Sequence, residues 1–160
     1  MNKDFEIVCT NRVDTVKGHA CKFAEFPTID FFTYKDCANN IVLVEKSTGL
    51  KVFRDKTIKA VKAKMIEFLR THDKSIITSC VNNARTVKQY KDYLIRKDKL
   101  TNDFKNVFGF EPPICMLTNS LDVIRLDNML HVPSGISTSN YIKNKYGKQA
   151  CKIVQDFIKI

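Results

Sequence analysis

Tryptophan is absent from this chain, and glycine is scarce, with five in 160 residues. So few glycines, none of them clustered, exclude a glycine-rich loop wrapped around a nucleotide phosphate. The six cysteines (Cys9, Cys21, Cys37, Cys80, Cys115 and Cys151) form no CxxC pair, which removes the usual zinc and redox spacings. Neither GxSxG nor HExxH occurs, nor H-x-E with a CxxC, nor the H-x-x-R pair of a tyrosine-recombinase site. The clearest D-x-K, Asp103-Phe104-Lys105, falls in a predicted helix, whereas a metal-dependent nuclease carries that motif on a strand. His19, His72 and His131 lie far apart, so no catalytic set assembles from sequence neighbours. No run approaches the roughly 18 apolar residues of a membrane helix. The N-terminal MNKDFEIVCT carries acids and no long apolar core, so a secretory signal is not expected. The expectation is a cytoplasmic protein with no membrane segment, no cofactor, no metal and no assigned catalytic residue.

A zinc site would have to draw on Cys9, His19, Cys21 and Cys37. His19-Ala20-Cys21 offers two ligands from one strand face, but no second close pair completes the set. Most of the cysteines have apolar neighbours, so free thiols behaving as small hydrophobes are expected.

Acidic residues are missing from one part of the chain. Residues 1–55 hold eight basic and eight acidic side chains. Residues 56–105 hold 13 basic against five acidic, an excess of eight, and residues 106–160 hold six against four. Lysine outnumbers arginine 21 to six, a bias that an A/T-rich coding sequence explains. That bias does not explain the missing acids, whose codons tolerate it equally. A positive field concentrated in this way suits a polyanion.

What is present is organised around Ile41–His72. Ile41-Val42-Leu43-Val44 and the alternating Lys51-Val52-Phe53-Arg54 flank Glu45-Lys46-Ser47-Thr48-Gly49, the signature of a β-hairpin. The period then changes to about 3.6, with Ile58, Val61, Met65, Phe68 and Leu69 on one face of a helix over 57–71. Upstream, strands are predicted at Phe5–Cys9, His19–Phe26 and Thr28–Lys35. Phe32 and Tyr34 share a strand face that could stack bases, but packing into a core is the stronger expectation for aromatics on a sheet. Downstream, Ile77, Cys80, Ala84, Val87, Leu94 and Ile95 predict one long helix from Ser75 or Thr78 to Arg96. A shorter helix is expected from Asp98 or Thr101 to Gly109. An extended segment is expected at Ile114–Leu117, and Leu121–Leu130 is ambiguous. A closing helix from Thr138 or Ser139 is interrupted at Gly147. The predicted fold class is α+β. An N-terminal antiparallel sheet of four to five strands precedes a mainly helical C-terminal half, all in one domain with a change of character near residue 72.

The order of strands and lysine-bearing helix over about residues 19–70 resembles the arm-binding domains of integrases and the sheet-plus-helix of double-stranded RNA-binding domains. The resemblance rests on element order and implies no site residues. The residues themselves point to Lys56, Lys59, Lys62 and Arg70 on one helix, and Arg85, Lys88 and Arg96 on the next, as a phosphate-contacting surface. The expected function is non-catalytic binding of nucleic acid, DNA or RNA. The alternative is an accessory or inhibitor factor of phage or mobile-element type that docks on a nucleic-acid-handling protein.

Overall fold

In the computed structural model, which describes residues 2–115 and 119–159, Asn11 and Gly49 take positive φ (60° and 68°) and set two hairpin turns. Five strands follow one another in chain order: β1 (Lys3–Cys9), β2 (Arg12–Cys21), β3 (Phe31–Lys35), β4 (Ile41–Glu45) and β5 (Lys51–Asp55). All neighbours pair antiparallel in a sheet of order β1-β2-β3-β4-β5. The α+β fold class and the hairpin over 41–55 are as the sequence predicts.

The second strand is not His19–Phe26. Cys9 faces Arg12 across a two-residue Thr10-Asn11 loop, and β2 therefore runs from Arg12 to Cys21. Asn tolerates the left-handed conformation that such loops need, which makes this short turn possible without glycine. Phe23 and Phe26 lie in the following loop, but they are buried with their rings against Phe31 at 5.4 and 5.7 Å. The third strand accordingly starts at Phe31, not Thr28.

The sheet curls. Phe5 on β1 stacks on Phe32 on β3 with ring centroids 4.2 Å apart, reaching across β2 at Gly18. Gly18 makes this possible: a Cβ there would stand 2.6 Å from the Thr33 carbonyl oxygen, 3.2 Å from the Phe5 ring and 3.3 Å from the Phe32 ring. Farther along, the Val8 N–H donates to the Gly49 carbonyl (3.3 Å), so β1 meets the β4–β5 turn. That turn is built on Glu45, which is 2% exposed. Its carboxylate accepts from the Ser47 and Thr48 amides (both 2.8 Å) and from their hydroxyls (3.0 and 2.6 Å).

Helix α1 (Ile58–Thr71) covers the opposite face of the sheet. Thr57 caps it by accepting from the Ala60 N–H at 3.1 Å. Val61 and Met65, both fully buried, pack with Phe31 and Leu43, and Phe53 meets Phe68 at 5.9 Å. The expected union of hairpin and helix is present, although Ile58 stays 41% exposed at the first turn. Helix α2 (Ser75–Asn83) adds Ile77 to the same core.

The predicted helix from Ser75 to Arg96 is two helices. Thr86 and Gln89 form a reciprocal cap, in which the Thr86 N–H donates to the Gln89 side-chain oxygen (2.8 Å) and the Gln89 N–H to the Thr86 hydroxyl (3.2 Å). This capping box starts a new helix, α3 (Val87–Phe108), after an extended residue at Ala84. The same helix absorbs the predicted one from Asp98 or Thr101. Its apolar stripe runs through Leu100, Phe104 and Phe108, leaving Ile95 at 70% exposed, and Cys80 on α2 is exposed as well.

By its contacts the chain divides into two compact units, Met1–Asp92 and Tyr93–Ile160. The second holds the rest of α3, α4 (Val123–Leu130) and α5 (Thr138–Ile158), around Phe104, Leu126, Ile142, Ala150 and Phe157. Asp122 caps α4 by accepting from the Arg125 N–H, which resolves the ambiguous 121–130 stretch as helix. Gly147 (φ 89°, ψ 172°) kinks α5 at the expected place. Of the expected extended segment Ile114–Leu117, Ile114 bridges Leu121, and residues 116–118 lie outside the described residues.

Candidate nucleic-acid interface

At about 100° per residue, Lys59, Lys62, Ile66 and Arg70 fall within an arc of about 80° on α1, turned away from Val61 and Met65. All four are exposed, Ile66 to 48%. Lys56 sits just ahead of the Thr57 cap. The nearby acids are already engaged. Glu67 lies 3.7 Å from Arg70, and Asp73 accepts from the Ser75 N–H at 2.7 Å. Asp55 is held by Lys64 at 2.8 Å, and the same ammonium donates to the Arg54 carbonyl. Lys64 stands outside the arc, about 120° round the helix from Arg70. Among the described residues, no salt bridge engages Lys56, Lys59, Lys62 or Lys88.

The acids of the sheet are neutralised locally too, by Lys17–Asp4 (2.7 Å), Arg12–Asp14 (3.0 Å) and Arg54–Asp36 (2.7 Å). The outward face of α1 is one place in the first unit where lysines without a salt bridge stand close together. Arg85 is not helical; it lies in the α2–α3 loop, and Lys88 stands in the first turn of α3. That turn is anchored elsewhere, because the Val87 N–H donates to the Ser47 carbonyl at 2.8 Å. Arg96 belongs to the second unit, where it shares the wall of a cleft of about 470 Å³ with Lys99, Asp103, Lys152, Asp156 and Lys159. Of the seven predicted residues, Lys56, Lys59, Lys62 and Arg70 lie on or just ahead of α1, Arg85 in the α2–α3 loop, Lys88 in the first turn of α3 and Arg96 in the second unit.

Sequence periodicity alone missed Ile66, an apolar side chain within the basic arc. The signal was available, because its place in the 3.6 period falls between Lys62 and Lys59 and not on the Val61 stripe.

Phe32 and Tyr34 are buried, as the packing expectation required, and offer no stacking platform. The Cys9, His19, Cys21 and Cys37 combination does not assemble. Among the described residues no group of three His, Cys, Asp or Glu side chains is placed to hold a metal ion. Burial raises the Cys21 thiol above its usual range, with the Lys62 charge acting the other way. Asp103-Phe104-Lys105 lies in α3, with Phe104 in the core and Lys105 paired to Glu111, so it is no nuclease motif. His72 stacks on Phe68 at 4.6 Å and contacts the Thr71 hydroxyl, not Asp73. No helix among the described residues is long and apolar enough to cross a membrane. Compared with known protein families, curated proteins and solved structures, the chain matches none.

Proposed function

We propose that this protein binds nucleic acid through the outward face of α1, without base specificity and without catalysis. The observation that carries the reading is the arc of Lys59, Lys62 and Arg70, with Lys56 beside it, whose three lysines have no salt-bridge partner among the described residues. Ammonium groups held on a rigid helix and left uncompensated are suited to phosphate oxygens and to counterion release. Arg85 and Lys88 are further candidate phosphate contacts of the first unit in this reading, and Arg96 is a candidate on the second unit by itself.

The test is fluorescence anisotropy with unrelated duplex DNA and single-stranded RNA over a range of salt. Each neutralised duplex phosphate contributes a slope of about −0.9 in log K against log salt. Replacing Lys56, Lys59 and Lys62 by Ala should flatten the duplex slope by up to about 2.7 units and weaken all sequences alike. Replacing Arg85 and Lys88 measures their contribution separately. A parent protein that shows no salt-sensitive binding near physiological ionic strength would refute the reading.

A second reading is favoured by Ile66, 48% exposed in the middle of the arc. An apolar anchor ringed by cations suits an acidic face on a nucleic-acid-handling protein, the docking role of an accessory or inhibitor factor. Ile66→Ser separates the two, because it leaves phosphate contacts intact and removes the anchor.

A further inference from the structure

The alternation of the strands sends two sets of side chains to opposite faces of the sheet. One set meets α1 and α2. The other is read directly from the register: Ile7 faces Asp14, Cys9 faces Arg12, Tyr34 faces Val42, and Val42 faces Arg54. Among the described residues, the apolar cluster on this second face draws only on strand residues. Toward one end the curl fills it with Phe5, Phe32 and Val44. Toward the other end the same face opens into a cavity of about 640 Å³.

Ile7, Val16 and Val42 give this cup an apolar floor, with Tyr34 beside them, and charged side chains form the rim. The rim carries four cations, Arg12, Lys35, Lys51 and Arg54, against two carboxylates, Asp14 and Asp36. Each carboxylate is already taken by an arginine, at 3.0 Å for Arg12–Asp14 and 2.7 Å for Arg54–Asp36. Lys35 and Lys51 have no salt bridge among the described residues. The cup therefore presents apolar surface below and unsatisfied positive charge at the edge.

We propose that the cup of the curled sheet binds a small amphipathic anion, an organic carboxylate, sulfonate or phosphate whose apolar body lies on Val16 and Val42 and whose head group meets Lys51. A volume of about 640 Å³ falls within the range of roughly 300–1,000 Å³ that accommodates small ligands. The chemistry is binding and not covalent. Burial, then the contact with Asp14, raises the Cys9 thiol above its usual range, and burial likewise raises the Tyr34 hydroxyl against the opposing charge of Lys51. Both groups are therefore neutral near pH 7 and serve as dipoles. The cup is separate from the α1 arc, and the inference does not depend on nucleic-acid binding.

The experiment uses two probes of one shape on the full chain: anilinonaphthalene sulfonate and the uncharged N-phenylnaphthylamine. Titration is followed by fluorescence and by amide shifts in two-dimensional NMR. The sulfonate should bind saturably at one site, with shifts confined to β1, β2, β5 and the stretch from Tyr34 to Val42. Lys51→Met, which keeps the side-chain stem, should weaken the sulfonate about tenfold and leave the uncharged probe unchanged, as expected for one lost charge-assisted contact. Lys59→Met with Lys62→Met should change neither. Equal affinity for the two probes, an unaltered sulfonate affinity in Lys51→Met, or shifts centred on α1 would each overturn the proposal.

Discussion

Gly18→Ala is the most exacting test of the curled sheet, because the two effects of the substitution oppose each other. Alanine in a strand normally gains about 0.5–1 kcal/mol over glycine by reducing the freedom of the unfolded chain. At position 18 the new methyl would stand 2.6 Å from the Thr33 carbonyl oxygen and within 3.3 Å of the Phe5 and Phe32 rings. The first contact is the harder one, since it involves the backbone of β3 and not a side-chain tip that can turn aside. Relief requires β2 and β3 to separate locally, which weakens the Gly18–Tyr34 pairing and parts the stacked rings. Overpacking of this kind costs about 1–3 kcal/mol, more than the entropic gain. The variant should therefore be less stable in urea denaturation, with a lower midpoint and an unchanged slope. Trimming Phe5 to Leu should not rescue it, because the Thr33 oxygen remains in place. A Gly18→Ala protein as stable as the parent would mean that β1 does not fold over β2 as described.

Other consequences of the structure can be checked more simply. Val61→Asp places an unpaired carboxylate at a fully buried position and should cost several kcal/mol, read as a large loss of melting temperature. Glu45→Gln removes a buried carboxylate that accepts four hydrogen bonds and should cost about 1–3 kcal/mol by denaturation. All six cysteines should alkylate without reductant once the protein is denatured. In the native state exposed Cys37 and Cys80 should react first and buried Cys21 last, as mass spectrometry would show. The Asp55 carboxyl is held below its ordinary value of 3.8, first by Lys64 and then by the Lys56 amide. Its stabilising effect is present above that value and is lost as pH falls below it, so Asp55→Asn should flatten the acid limb of a stability–pH curve.

The hairpin and its helix were legible because both signals are local. The β-branched run, the glycine turn and the change of period at residue 56 lie within about thirty residues and require no distant partner. The start of α3 was equally legible in Thr86-Val87-Lys88-Gln89, and an apolar stripe read straight through that capping box joined two helices into one. The two-residue loop at Thr10-Asn11 was harder, because Asn supplied the conformation for which glycine is the usual sign. The curl of the sheet was not legible. It depends on Gly18 meeting Phe5 and Phe32 from different strands, a contact that no periodicity encodes. The candidate site shows the same division: the lysines of α1 are a helical pattern, whereas the pairing of Lys64, Arg12 and Arg54 with carboxylates arises only in three dimensions.

The way α3 begins has a consequence for how the first unit is completed during synthesis. Each strand pairs with the one made just before it, so the sheet can grow as the chain emerges. Its last ties come from much later in the sequence. The Tyr90 hydroxyl donates to the Cys9 carbonyl at 3.2 Å, Lys91 pairs with Glu6, and Val87 donates to Ser47. A nascent chain that has reached only α2 holds all five strands but leaves the tip of the first hairpin and the Ser47 carbonyl without these partners. These ties reach β1 only once α3 is made, about eighty residues after Cys9 and Glu6, and a ribosome stalled within α2 would hold a sheet that is paired but lacks them.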